Sequence, residues 1–531
     1  MKTISRILVL VLGVLFFAGC TDLNTFPEGG TKTESQKQAA IENNPELLAA
    51  DVSAIYATMI ELFAGLGEAN EFHSDFGYAS LAIIMDANGQ DVTCPSIGYN
   101  HFSRSFSYAD RVYTSPECLM TWKVYYKIIR AANAVLGVAP ADAEDDMLKA
   151  YRGQALAARA FAYLNMAQLY QFKYKGNENK PCVPIVKENM ESEQQMKNPR
   201  ATVQKVYDLI MGDLNEAVTL LKGYKRSDKS MIDQAVAYGL RARANLVQEN
   251  WAEAAADAKQ ALEVSGATPY TLAEVSKPTF TSADANSVLW ANIITETNDV
   301  TLSGIVNWPS HVSSLFSDGY TGVGAYKSIS VLLYNKIADS DVRKGWWLNE
   351  EFDSPLLSSD IYSDWKKDNA EACGYLGNVK FGVYQDNMVN LVAASDWILM
   401  RAEEMLLIQA EGLAMSGEVA GAKTALENFV KTYRDPSYTC QAADAKTLQD
   451  EIWLQRRIEL WGEGFSFFDI MRLEKPITRK ENGVSSYPDA WQFNIPAKSQ
   501  ILLYLIPRSE IESNQGIDES QNNPAVNPPV A

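Results

Sequence analysis

The chain has 531 residues, 47% of them hydrophobic, and a formal net charge of −19. That is enough apolar content for a real core and enough length for one large domain or two to three ordinary ones. The acidic balance argues against nucleic acid, whose phosphates it repels, and against a polybasic membrane contact.

The first residues read as a processing signal. Lys2 and Arg6 precede an apolar run over residues 7–17, and Leu15-Phe16-Phe17-Ala18-Gly19 leads into Cys20. The run is too short for a permanent transmembrane helix, which needs about 20 apolar residues. The pattern is that of a bacterial lipoprotein signal, with residues 1–19 removed and the Cys20 thiol lipidated. Such chains tether a protein at about 0.8 kcal/mol per buried methylene. Residues 20–45, polar and Gly-rich around Pro27-Glu28-Gly29-Gly30, then form a lipidated N-terminus and a leash. The body is 46–531, and no later stretch is long and apolar enough to cross a membrane.

Helical periodicity recurs along the body. In 122–138, Trp122, Tyr125, Ile129, Ala132 and Leu136 are spaced by three and four. An Ala-rich helix is expected over 148–172, and another over 202–221 with Thr202 as N-cap. The segments 232–247 and 251–264 form a helix pair whose small residues resemble a tetratricopeptide unit. Leu399, Ala402, Leu406, Ala410 and Leu413 line a further helix, followed by 419–433 and 448–461. The helical scaffold is therefore 120–264 and 394–472. Residues 70–116 and 265–393 lack long periodicity and are rich in Gly, Ser, Asn, Asp and aromatics. They form an irregular lobe, with short strands expected around 287–294. An irregular stretch this long in a compact body is usually functional.

Catalytic motifs are missing. The only histidines are His73, His101 and His311, and there is no HExxH, GxSxG or P-loop pattern. Cys94, Cys118, Cys182, Cys373 and Cys440 are scattered, with no CxxC pair, so neither a disulfide framework nor a zinc site is expected. Asp86 to Asp91 resembles a calcium loop, but Ile97 stands where a glutamate belongs, and it reads as a turn. Acidic pairs are too frequent here to nominate a glycosidase dyad. Glu459, Arg456, Asp469 and Arg472 read as buried ion pairs that orient helices, since unpaired buried charge is costly.

The loop aromatics point to binding instead. A ring accepts the apolar face of a pyranose while polar neighbours bond its hydroxyls. Tyr99, His101, Phe102, Trp308, Tyr320 and Tyr326 are the candidate ligand residues. Trp122, Trp251 and Trp290 read as core.

Ordered motifs then carry a family resemblance. They are Trp122 to Leu136 with Asn133, Ala150-Tyr151-Arg152-Gly153 through Tyr170, and Pro199-Arg200-Ala201-Thr202-Val203. Later come Leu399-Met400-Arg401-Ala402-Glu403-Glu404, Arg456-Arg457-Ile458-Glu459-Leu460-Trp461-Gly462-Glu463-Gly464-Phe465, Ile506-Pro507-Arg508, and Gln521-Asn522-Asn523-Pro524. Behind the Cys20 signal, this order resembles the SusD/RagB family of Bacteroidetes outer-membrane lipoproteins. Ser466 departs from the pattern, where many members carry Arg. The resemblance implies an all-α, mainly helical fold: a tetratricopeptide-like helix-pair scaffold with an irregular, loop-rich ligand-binding lobe. It implies a lid on a SusC-like TonB-dependent barrel that captures an oligosaccharide, or a peptide as in RagB-like members. It implies attachment to the outer membrane through the lipid and facing the medium. Neither catalysis nor a cofactor or metal is implied, and a surface glycoside hydrolase is the remaining alternative.

Overall fold

The computed structural model describes residues 37, 40, 41 and 43–530, apart from 71 and 96. Cys20 and the leader lie outside the described residues. The chain divides after Leu48. The described part of the first unit ends in a 3₁₀ turn, Pro45–Leu48. Everything below concerns the second unit.

Its scaffold is a succession of helices. They are α1 (Ala49–Met59), α2 (Tyr78–Asn88), α3 (Pro116–Leu136), α4 (Asp146–Tyr170), α5 (Val203–Leu220), α6 (Gln234–Val247) and α7 (Trp251–Ser265). Local chemistry sets their starts. Ser115 accepts from the Cys118 N–H with Pro116 in the first turn, Asp145 accepts from Met147 and Leu148, and Thr202 accepts from Lys205. α7 ends on Gly266 in the left-handed conformation. Trp122, Tyr125, Ile129, Ala132 and Leu136 all lie on the buried face of α3.

Leaving out α2, each helix packs on the next: α1 on α3, α3 on α4, α4 on α5, α5 on α6, and α6 on α7. Stacking of this kind buries apolar faces that no single pair could cover. The neighbour of α7 is then α10 (Ala402–Met415), far along the chain. A Cβ on Gly412 would stand 2.5 Å from the Trp251 carbonyl oxygen and 2.9 Å from the Ala255 Cβ, so glycine permits this approach. α11 (Val419–Tyr433) and α12 (Ala445–Glu459) pack on α10 through Leu407, Leu426, Phe429, Leu448 and Ile452.

Residues 266–401 are thus inserted between two helices that touch. The insertion contains the five-residue helix α8 (Trp308–Val312) and α9 (Ser363–Cys373). Strand β1 (Val92–Thr93) pairs antiparallel with β3 (Ser328–Ile329), joining the N-terminal loops to the insertion. Strand β2 (Val288–Asn292) pairs antiparallel with β4 (Trp397–Arg401), setting Val288 opposite Arg401 and Asn292 opposite Trp397. A last ribbon, β5 (Ile477–Thr478) with β6 (Asn494–Ile495), follows α13 (Ser466–Arg472).

Three expectations need correction. Leu399 lies in β4 rather than on the following helix. Residues 70–116 are not wholly irregular, because α2 runs through them with every residue buried. A helix buried all round has no amphipathic stripe to detect. Asp86 is accordingly helical rather than part of a turn, and its carboxylate accepts from the Gly464 N–H at 2.8 Å. Gly464 has φ of 86°, and a Cβ there would lie 2.6 Å from that of Ala82, so α2 fits against this turn only with glycine.

Buried charge joins the insertion to the scaffold. The Glu459 carboxylate accepts from Arg401 at 2.8 Å, Arg434 at 2.7 Å and Arg343 at 3.2 Å. Glu463 accepts from Lys380 at 2.6 Å and Arg401 at 2.8 Å. Arg434 also reaches Glu403 at 3.0 Å, and Arg343 reaches Asp341 at 2.7 Å. The cations and carboxylates named here are equal in number, so the cluster is neutral. Beside it, Asp469 bridges Arg456 at 2.8 Å and Arg472 at 2.7 Å, and Arg472 continues to Glu411 at 2.7 Å.

Candidate binding site

The site is assembled from three loops. In the first, the Asp75 carboxylate accepts from Gly65 at 3.0 Å and Leu66 at 2.7 Å, closing the segment that carries His73. In the second, Asn100 fixes the turn before Ser103–Phe106. Its side chain accepts from the Phe102 N–H at 3.1 Å and its carbonyl from Ser103, setting His101 and Phe102. In the third, Asn307 caps α8 by accepting from Ser310 at 3.0 Å. Ser310 then holds the next loop, its hydroxyl accepting from Tyr320 N–H and its carbonyl from Thr321 N–H, both at 3.0 Å.

These loops bring all three histidines of the chain together. His73 stacks on His101 with centroids 5.1 Å apart, and the Tyr320 ring stands 4.4 Å from His101 and 4.7 Å from His311. Phe76 and Phe102 close the inner side of His311 at 5.4 and 5.2 Å. His73 Nδ1 hydrogen-bonds the Tyr320 hydroxyl. His311 Nε2 donates to the His73 carbonyl at 2.9 Å, which fixes its tautomer. Its buried Nδ1 has no partner among the described residues. Burial, then Lys327 and His101, push the His311 pKa well below the ordinary value, so the ring is neutral. His101 is lowered by burial, then by His73 and Lys327. Among the described residues, no group of three or more His, Cys, Asp or Glu side chains is arranged to hold a metal ion.

The sequence-derived candidates divide. Tyr99 is 64% exposed and His101 is exposed, so both offer surface to a ligand. Tyr320 packs against His101 and His311 with only 7% of its surface free. Phe102 supports His311 from within. Trp308 is core, wedged between Phe381 and Trp397 with its indole N–H on the Ser395 carbonyl at 2.8 Å. Tyr326 is buried as well. Phe102, Trp308 and Tyr326 are thus buried, as Tyr320 is, while Tyr99 and His101 are exposed. His73 and His311 were missed, being isolated in sequence. A scarce residue type is itself a signal, since the chain has only three histidines and places them together.

A separate cleft of about 860 Å³ runs along α3 past Trp122, Lys123, Tyr126, Arg130 and Glu510. No helix among the described residues is long and apolar enough to cross a membrane.

Two family models match the chain. Residues 85–246 fit one described as starch-binding, associating with the outer membrane, and residues 341–525 fit one described as the SusD family. Together they span well over half of the sequence. A stacked-helix scaffold with an inserted loop lobe and these matches define the class: nutrient-binding proteins associated with the outer membrane. Within that class, the chain belongs to the SusD/RagB family.

Solved structures agree on the fold. A SusD-like carbohydrate binding protein from Bacteroides vulgatus is 24% identical, with a TM-score of 0.73 over 90% of this chain and 98% of that one. A putative sugar binding protein from the same species is 22% identical, with a TM-score of 0.70 over 91% and 99%. A SusD superfamily protein from Bacteroides thetaiotaomicron is 20% identical, with a TM-score of 0.67 over 90% and 99%. No curated protein matches the chain.

Proposed function

We propose that this protein is a surface glycan-binding lipoprotein, anchored by lipid on Cys20 and acting as the lid of a SusC-like TonB-dependent outer-membrane barrel. The oligosaccharide is taken at the platform of Tyr99, His101, His73 and Tyr320. The observation that carries the reading is the gathering of every histidine with Tyr320 on loops braced by the helical scaffold. Rings expose flat faces to a pyranose, and imidazole nitrogens and a phenol bond its hydroxyls. The lipid keeps the lid near its barrel, raising effective concentration without a new contact.

Calorimetric titration of the full-length protein in detergent, with panels of glycans and peptides, tests this. Some glycan should bind, and His101→Ala and Tyr99→Ala should each weaken it by about tenfold with the melting temperature unchanged. Peptide binding with no glycan binding would replace this reading by a peptide-binding lid. Cleaved glycan after incubation would replace it by a hydrolase.

A further inference from the structure

The cleft along α3 has the volume of a ligand pocket, about 860 Å³, and shares no residue with the histidine platform. Its lining comes from α3, the turn 64–67, the segment 184–190 and residues 509–514. On α3, Trp122 and Tyr126 lie one turn apart with ring centroids separated by 4.8 Å.

Cations set its character. Lys123, Lys127 and Arg130 follow one another along α3 at spacings of four and three, so they share one face of the helix. Lys187 joins them from the segment 184–190. Lys123, Arg130 and Lys187 are exposed, and none of the three is ion-paired among the described residues. Lys127 meets Glu61 at 2.8 Å, but both side chains are nearly half-exposed, and such a pair is weak. Two carboxylates line the cleft, and both are engaged. Glu188 pairs with the buried Arg159, and Glu510 accepts from the Asn514 side chain at 2.9 Å. Four cations against two carboxylates make this cleft positive on a protein of net charge −19. It therefore favours an anion.

The backbone narrows the kind of anion. An extended peptide pairs with a free strand edge, and the segment 184–190 offers little of one. The Pro184 carbonyl accepts from the Tyr126 hydroxyl at 2.7 Å and the Val186 carbonyl from Asn133 at 2.9 Å, while the Val186 N–H donates to the Tyr163 hydroxyl at 2.7 Å. An amphipathic helix needs an apolar groove, which the charges deny. A pyranose chain needs neither, because side-chain donors and ring faces recognise it. Successive cations on α3 are separated by roughly 4.5 to 6 Å of helix rise, comparable with the repeat of such a chain.

We propose that this cleft is a second carbohydrate site, taking an anionic oligosaccharide whose carboxylates or sulfates pair with Lys123, Arg130 and Lys187. It does not depend on what the histidine platform binds.

The test titrates the full-length protein in detergent with matched oligosaccharides. Oligogalacturonate is set against its methyl ester, and sulfated against desulfated chondroitin fragments. At least one acidic member should bind, and its neutral partner should bind about tenfold more weakly or worse. Raising salt from roughly 50 to 500 mM should weaken the acidic member. Lys123→Gln, Arg130→Gln and Lys187→Gln, all at exposed positions, should together weaken it by about a hundredfold with the melting temperature unchanged. The same triple variant should leave neutral-glycan binding at the platform as it was. Acidic binding that survives the triple variant, or that Tyr99→Ala abolishes instead, would overturn the inference and leave the platform reading standing. An acidic panel that does not bind would overturn it too. So would oligoglutamate of matched charge binding at these cations where no acidic glycan does, which would assign the cleft to an acidic protein. Failure of every neutral glycan, with an acidic one still held by these cations, would count against the platform reading alone.

Discussion

His101 is the exposed ring of the histidine cluster. The titratable and charged groups facing it are His73, His311, Tyr320 and Lys327, and burial with His73 and Lys327 holds its pKa below the ordinary value. The ring is therefore neutral at pH 7 and above, and glycan affinity measured by calorimetry should stay flat from about pH 7 to about pH 8.5. Asp86 makes an opposite kind of demand. Burial pushes its carboxyl up to about 8, against the Gly464 N–H and Lys380, which draw it down. Its second oxygen has no partner among the described residues. Between an unfolded value of about 3.9 and the folded one, the folded chain holds a proton that the unfolded chain has lost, so stability falls as pH rises across that window. Asp86→Asn keeps an acceptor for Gly464 and removes this loss. Its melting temperature should exceed that of the native chain by a margin that grows from about pH 5 to about pH 8.

At this scale the sequence is only partly readable. Aromatic content marks the lobe, but it cannot separate a ring on the surface from one in the interior. Tyr99 and Trp308 look equivalent as letters, and only packing of Trp308 against Phe381 and Trp397 distinguishes them. His73, His101 and His311 are brought together by loop closures that leave no spacing pattern.

Among elements, amphipathic helices are the most legible. The 3.6-residue stripe locates α3, α5 and α12, because those helices bury one face and expose the other, and Thr202 marks the start of α5; the first turns of α3 and α12 extend beyond the stripe, to the Ser115 and Asp444 caps. α2 escapes detection because it is buried all round, and α9 because Ser363 to Cys373 is polar on most sides. The ion pairs around Glu459 and Asp469 are foreseeable in kind, since Arg and Glu repeated within apolar helices need partners. Their reach to Arg343 and Lys380 of the insertion is not, because those residues lie in an aperiodic segment. Glu459→Ala leaves Arg401, Arg434 and Arg343 facing an empty position. Loss of one member of such a buried cluster should cost about 3–5 kcal/mol, measured by chemical denaturation. Gly412→Val places side-chain atoms against Trp251 and Ala255 and should separate α7 from α10, lowering stability by about 1–3 kcal/mol.

At the scale of the whole molecule, scaffold and lobe are not independent parts. Arg343 and Lys380 come from the insertion, while Glu459 and Glu463 come from the end of α12 and the turn after it. Removing the insertion would strand buried carboxylates, so scaffold and lobe should move as one piece. Cys20→Ala should leave glycan binding by the purified protein intact and abolish surface retention and uptake, read by surface labelling and by growth on the glycan. Uptake that survives would overturn the tethered-lid account.

The contact between α7 and α10 also dictates an order of folding. From α3 to α7 each helix meets its sequence neighbour, and such local pairings form quickly. Joining α7 to α10 instead closes a loop over residues 266–401, at an entropic cost of about 4 kcal/mol before any length-independent constant. The return on that closure comes only when β2 meets β4 and the charges around Glu459 find one another. Refolding should therefore show early helix formation followed by a slower, concerted step. The later helices of the scaffold reach their places in the same event that completes the loops around His101, so a chain that has finished folding has its histidine cluster already assembled.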